Sequence, residues 1–152
     1  MRTVHAGFKA GKNGLTQPEL LAQLGPTFLV DVGARNRARD GGPPDLEHKG
    51  VRALIDTGAG AHAIDETFAL EIGLRRSDEG TLSGVMGEAS VNIYTARLYV
   101  PGFDLLLFEP FYGVKLKEGG QWHRIVLGRP FLRGYTMTYE GRTGQVVIRD
   151  GD

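Results

Sequence analysis

The sequence predicts a mostly β fold in a single domain. Three observations point that way. Apolar residues fall in short runs or in strict alternation, as at Phe28, Val30 and Val32, the pattern of strands with one buried face. Glycine is abundant, 23 of 152 residues, and with 7 prolines it punctuates the chain at short intervals, as turns between many short strands would. Long stretches with a helical apolar period are missing. A chain of 152 residues is long enough to bury a core of its own.

Met1 to Leu15 is polar and glycine-containing and reads as loop. Thr16-Gln17-Pro18-Glu19 reads as a capping box with Pro in the first turn. Leu20, Leu21 and Leu24 then share a helical face, and Gly25-Pro26 ends the helix. Thr27 to Ala34 is the first strong strand. Arg35 to Lys49 is a polar loop around Gly41-Gly42-Pro43-Pro44, whose Arg35, Arg37 and Arg39 suit solvent better than a bound anion. Val51 to Asp56 is a second strand. Asp65 suits the N-cap of a helix over Glu66 to Ile72, with Gly73 just past its end.

Leu82 to Val100 reads as two strands joined around Gly84-Val85-Met86-Gly87. Val91 and Ile93 alternate in one phase, and Tyr94, Ala96, Leu98 and Val100 in the other. That switch calls for a bulge or a sharp bend. Pro101-Gly102 is a turn and Phe103 to Phe108 an apolar strand. Tyr112 to His123 is a loop whose single Trp, Trp122, suits a packing anchor more than a substrate contact. Arg124 to Leu127 is a strand, Pro130 to Arg133 a short helix ended by Gly134, and Tyr135–Tyr139 with Gln145–Arg149 a closing hairpin.

Composition excludes several functions. Lys plus Arg and Asp plus Glu both number 18, so no global field draws in nucleic acid or an acidic membrane surface, and no nucleic-acid partner is expected. Without cysteine there is no disulfide, zinc-thiolate site or Cys nucleophile. A reducing compartment, the cytoplasm foremost, fits that composition. Met1 to Gly14 shows no apolar signal-peptide core, and the longest aliphatic-aromatic run, Leu105 to Phe108, is too short to span a bilayer. His5, His48, His62 and His123 are scattered without metal-ligand spacing, so no metal is expected. None of Ser77, Ser83 and Ser90 sits in a Gly-x-Ser-x-Gly elbow, and no phosphate-binding Gly-x-x-x-x-Gly-Lys loop is present.

One stretch stands out. Ala53-Leu54-Ile55 runs into Asp56-Thr57-Gly58 and then the small residues Ala59 and Gly60. A buried strand that breaks abruptly into a tight turn holds an acid on a rigid support at the edge of a core, a placement that suits chemistry. A second reading is a dinucleotide fingerprint at Gly58-Ala59-Gly60-Ala61-His62-Ala63, with Asp78 near the ribose-binding spacing. Against it, Asp56 would face the pyrophosphate, the helix after the loop is short, and no strand-helix alternation follows.

Leu54-Ile55-Asp56-Thr57-Gly58-Ala59 resembles the active-site motif of the retropepsin-like aspartic proteases. Ile125-Val126-Leu127-Gly128-Arg129-Pro130-Phe131-Leu132 resembles that family's hydrophobic-hydrophobic-Gly segment and its following short helix. The resemblance spans roughly Thr27 to Ile148. It implies a closed β-barrel with two or three short helices and a flap hairpin, formed by residues 27–152 behind an N-terminal extension, residues 1–26, that carries one short helix. It also implies an aspartic endopeptidase acting on a polypeptide substrate without metal or cofactor. Asp56, Thr57 and Gly58 would be its catalytic residues, Ala59 and Gly60 would line the substrate site, and Gly84, Val85, Met86 and Gly87 would form the flap tip.

Two carboxylates sharing one proton activate water well, one as base and the other as acid. The chain has one Asp-Thr-Gly, so the second Asp56 would come from a second copy in a homodimer. Thr57 would brace the two halves through its hydroxyl. One departure stands out. Retroviral members place another Asp two positions after the motif Gly, where it pairs with the Arg of the second segment; this chain has Gly60 there, which leaves the partner of Arg129 open. The alternative function is a non-catalytic module that keeps the fold and uses its cleft or dimer face for binding.

Overall fold

A computed structural model describes residues 1–151; Asp152, the end of the expected domain, lies outside them. In chain order the elements are β1 (Thr3–His5), α1 (Gln17–Leu24), β2 (Thr27–Asn36), β3 (Leu46–Ile55), β4 (Ala63–Asp65), α2 (Glu66–Glu71), β5 (Arg75–Gly84), β6 (Gly87–Val100), a 3-10 turn (Pro101–Phe103), β7 (Leu105–Val114), β8 (Ile125–Leu127), α3 (Arg129–Leu132), β9 (Tyr135–Glu140) and β10 (Gln145–Asp150).

Six of these strands close on themselves. The order β2-β3-β8-β4-β7-β6 returns to β2 through a β2–β6 pairing, and β5 extends the sheet beyond β6. The fold is therefore the expected mostly β closed barrel with three short α-helices. Alternation decides what faces inward. Phe28, Val30 and Val32 point into the barrel from β2, Ala53 and Ile55 from β3, and Ala96, Leu98 and Val100 from β6, all buried. Phe111, Ile125 and Leu127 complete the centre. Burying a side chain of this size contributes about 1.5–3 kcal/mol, so this interior is what fixes the register of the short strands around it.

The phase change in β6 has a physical origin. Ile93 and Tyr94 are adjacent and both buried. Opposite them, β5 pairs Asp78 with Ile93 but Arg76 with Tyr94, so Ser77 is an extra residue. That bulge turns the hairpin relative to the barrel.

Both caps form as read. The Thr16 hydroxyl accepts from Glu19 N–H at 3.3 Å while Glu19 Oε1 accepts from Thr16 N–H at 3.2 Å. Asp65, buried at the start of α2, accepts from Phe68 N–H at 3.1 Å and from Lys117 N–H at 3.0 Å. Trp122 is a packing anchor: Arg52 lies over its ring at 4.2 Å and donates to its carbonyl at 3.0 Å.

Several strands are longer than the sequence suggests. Thr3–His5, read as loop, pairs with β10, with Val4 opposite Ile148. Its partner lies at the far end of the chain, so nothing local announces it. The first residues also pack on the core through Val4, Ala6 and Leu21, all buried. β3 begins at Leu46 inside the expected loop, anchored there by a fully buried Leu46. β5 begins at Arg75 rather than near Leu82, and β7 continues to Val114, because each gains a long partner in β6. β4, three residues long, was hidden in the segment before α2. No helix among the described residues is long and apolar enough to cross a membrane.

Candidate active site

Asp56 stands where β3 ends. β3 runs parallel to β8, Ile55 beside Leu127, and β4 runs antiparallel on the other side of β8, Ala63 beside Val126. The loop from residue 56 to residue 62 therefore arches over the C-terminal end of β8. This arch brings together the two segments that stood apart in the sequence.

Main-chain hydrogen bonds fasten the arch. Asp56 N–H donates to Leu127 O at 2.9 Å, Ala59 N–H to Asp56 O at 3.2 Å, and Arg129 N–H to Ala59 O at 2.9 Å. Gly128 sits inside it. A Cβ there would lie 2.6 Å from Ala59 O and 2.7 Å from Ala61 O, so only glycine lets the two backbones approach this closely. Beneath the arch Ile55 and Leu127 are buried with Phe131, and Leu132 packs against them partly buried.

The carboxylate of Asp56 is half-buried. Its Oδ1 accepts from Gly58 N–H at 2.8 Å. Oδ2 accepts no hydrogen bond among the described residues. Thr57, Gly58 and Gly60 are exposed and Ala59 is half-buried. The arrangement is thus one oriented carboxylate on an open loop, with a firm floor and no roof. The concavities lined by His5, Phe8 and Gln17, by Glu66, Leu82 and Asn92, and by Leu29, Arg52 and Trp122 all lie elsewhere.

The open question about Arg129 has an answer. Its Nη1 donates to Thr57 O at 2.9 Å. Its Nη2 is 3.3 Å from where a Cβ on Gly60 would sit. The guanidinium, having no carboxylate at position 60, holds the loop through a carbonyl beside Asp56.

His62 is a site residue that the sequence did not single out. It is buried, and its Nδ1 accepts from Gly128 N–H at 3.1 Å. Its carbonyl accepts from Tyr112 N–H at 2.9 Å. The accepting Nδ1 puts the proton on Nε2 and makes the imidazole neutral. Burial holds its pKa below the usual histidine value, with Glu109 pulling weakly the other way. His62 ties the loop to the β8–α3 junction. The available signal was its place in the arch, four residues after Gly58.

Gly84, Val85, Met86 and Gly87 form the tip of the β5–β6 hairpin. Gly84 pairs with Gly87 across a two-residue turn, and Val85 and Met86 are fully exposed, at 106% and 101%. Gly87 takes a φ of +106°, which a side chain would strain. Among the described residues no backbone hydrogen bond joins the tip to the Asp56 loop. Among the described residues no cluster of His, Cys, Asp or Glu could hold a metal ion.

No family model matches the chain, and no curated protein matches it. Among the solved structures similar to it are two retroviral-type proteases. One is the EIAV protease complexed with the inhibitor HBY-793, at 15% identity over 71% of this chain and 85% of that one, with a TM-score of 0.48. The other is the solution structure of the Simian Foamy Virus (mac) protease, at 17% identity over 70% of this chain and 90% of that one, with a TM-score of 0.44.

Proposed function

We propose that the chain is an aspartic endopeptidase that works as a homodimer, with one Asp56 from each copy flanking a water molecule. The observation that carries this is Asp56 itself: a single carboxylate, oriented by Gly58 N–H at 2.8 Å, on an exposed Asp-Thr-Gly loop fastened to the end of β8. One such carboxylate is half of a working site. Two held close share a proton, because both cannot ionise at that distance. The ionised one takes a proton from water as it attacks the peptide carbonyl, and the protonated one supplies a proton to the carbonyl oxygen. Gly58 and Gly60 leave room for a substrate backbone beside the acids. In this proposal the Val85-Met86 tip closes over the substrate and excludes water, and Thr57 braces the two loops against each other.

The test is cleavage of a peptide library. The wild-type protein should cut, and specific activity should fall on dilution as dimers dissociate. Asp56→Asn should fold, because the change is isosteric, and cut nothing. Undiminished activity in Asp56→Asn, or in a demonstrated monomer, refutes the proposal. A stable dimer that cleaves no peptide selects the non-catalytic binding module instead.

A further inference from the structure

Cations on the surface of this chain commonly face acids. Arg2 pairs with Asp150, Arg37 and Lys49 with Asp45, Arg76 with Glu79 and Lys115 with Glu118. Arg52 and Arg124 differ. Among the described residues neither makes an ion pair. They come together where the chain enters β8, with Arg124 N–H donating to Arg52 O at 3.2 Å. Carbonyls hold their side chains instead of acids. Arg52 Nε donates to Trp122 O at 3.0 Å, with its guanidinium over the Trp122 ring at 4.2 Å. Arg124 Nη1 donates to His123 O at 3.2 Å and to Gln121 O at 3.4 Å. These bonds orient both guanidinium groups and leave their charge unbalanced. Burial first, and then the charge of Arg124, lower the pKa of Arg52, and no carboxylate acts against them. Apolar surface adjoins the pair. Leu29 and Arg52 are cross-strand partners on the outer face of β2 and β3, and Leu29 is 57% exposed. Val51, Phe68 and Trp122 line the same open concavity of about 530 Å³. All three are half-buried, as are the two arginines.

We infer that this concavity binds a short acidic-apolar segment of a partner polypeptide, with a carboxylate at Arg52 and Arg124 and the apolar residues beside it on Leu29, Phe68 and Trp122. Charge complementarity selects the occupant. Two like charges held together repel, and an anion between them turns that repulsion into attraction. The planar guanidinium matches a carboxylate through two parallel hydrogen bonds. A small inorganic anion would meet the arginines but leave the apolar wall in water. A wholly apolar ligand would bury the two charges without a partner, which is unfavourable. An acid next to leucine or phenylalanine satisfies both surfaces. Leu29 lies on β2 and Phe68 in α2, and a segment with apolar residues on either side of the acid covers these separate elements better than one small organic acid. The site uses no group of the Asp56 loop, so it stands whether or not the chain is a protease.

The test uses Trp122, the one tryptophan of the chain, as its own reporter. The peptide acetyl-Leu-Glu-Phe-amide is titrated into the wild-type protein and into Asp56→Asn, where cleavage cannot consume it, and Trp122 fluorescence is followed. Both proteins should show the same saturable change, weakening as salt is added. The Gln peptide, acetyl-Leu-Gln-Phe-amide, should bind about tenfold more weakly or worse, as loss of a charged hydrogen bond implies. Arg124→Gln should weaken the Glu peptide by a similar factor with an unchanged thermal melt, and Arg124→Lys, which keeps the charge, should recover part of the affinity. The inference is overturned if the Glu peptide does not saturate the signal, if the Gln peptide binds equally well to the wild type, or if folded Arg124→Gln binds like the wild type. Inorganic phosphate or phenylpropionate that binds as tightly as the peptide and displaces it overturns the choice of a polypeptide. The cleavage assay separates the two ideas. Peptide binding that obeys these tests in a protein that cleaves nothing keeps this site and removes the protease. Cleavage that depends on Asp56, without binding of the Glu peptide at Trp122, keeps the protease and removes this site.

Discussion

Replacing Gly128 by Ala adds one methyl group at the most crowded point of the arch. The new Cβ would sit 2.6 Å from Ala59 O and 2.7 Å from Ala61 O, where close carbon-oxygen contacts ordinarily begin at about 3.3 Å. Both neighbours are backbone atoms, so no side-chain rotation relieves the clash. The loop must lift away from β8. Lifting lengthens the Arg129 N–H to Ala59 O bond, now 2.9 Å, and the Gly128 N–H to His62 Nδ1 bond, now 3.1 Å. Overpacking of this kind costs about 1–3 kcal/mol, and each hydrogen bond lost adds about 1 kcal/mol. The expected total is roughly 3–5 kcal/mol, or a fall in Tm of roughly 6–20 °C for a domain of this size. Urea unfolding followed by circular dichroism measures it. Gly134→Ala is the control, because a Cβ there meets nothing within 4 Å; it should change stability by less than about 0.5 kcal/mol. A loss below about 1 kcal/mol for Gly128→Ala would refute the account of the arch as a close-packed joint between the two segments.

Other expectations concern the floor and the buried histidines. Leu127 is fully buried under the loop, so Leu127→Ala should cost about 2–5 kcal/mol by urea unfolding; a smaller loss would show that the site does not rest on β8. His123 is buried with its Nε2 2.6 Å from the Thr27 hydroxyl and its Nδ1 unpartnered. Burial, helped by the like charge of Arg52, pushes its pKa from 6.5 to about 4. Its folded-state pKa is depressed, so the unfolded chain binds more protons across that interval. Stability should therefore be complete above pH 6.5 and decline toward pH 4, by roughly 3 kcal/mol at about 1.4 kcal/mol per pH unit. His123→Gln should flatten the decline in unfolding free energy measured over this range, and an unchanged slope would remove His123 as its source. His62, whose pKa burial also lowers, acts in the same direction. Once protonated it would face Gly128 N–H donor to donor, so His62→Gln should lessen the acid sensitivity of unfolding measured over the same range.

What the sequence disclosed and what it hid follow from the range of the interactions. Alternation showed which residues of β2 and β6 face inward, because the pleat is a local property. The caps at Thr16 and Asp65 were legible for the same reason: each satisfies a donor three residues away. The bulge was legible only as a phase change between Ile93 and Tyr94, and its place on β5 at Ser77 needed the partner strand. β1 and β4 were invisible, since three residues make a strand only when a distant neighbour accepts them. At the candidate site the Asp56 loop and the Leu127–Arg129 segment could each be read from sequence. Their joint could not, because it consists of main-chain bonds and one caged glycine. His62 was missed because a lone histidine among small residues shows no chemistry until its Nδ1 is seen to face Gly128 N–H.

Gly60 and Arg129 show how a departure from a motif changes the physics without emptying the site. A carboxylate at position 60 would pair with the guanidinium and place a further negative charge near Asp56. In a dimer that would mean four acids in one small region, each making ionisation of the others harder. With glycine there, Arg129 keeps its positive charge and donates to Thr57 O. A charged donor on a carbonyl makes a stronger bond than a neutral one, though this one is exposed and weakened by solvent. The loop is therefore held chiefly by main-chain bonds to Leu127 O and Ala59 O and by the His62 imidazole, with Arg129 as an outer tie. In the proposed dimer the two guanidinium groups are also the nearest positive charges on the arch, free of acidic side-chain partners among the described residues.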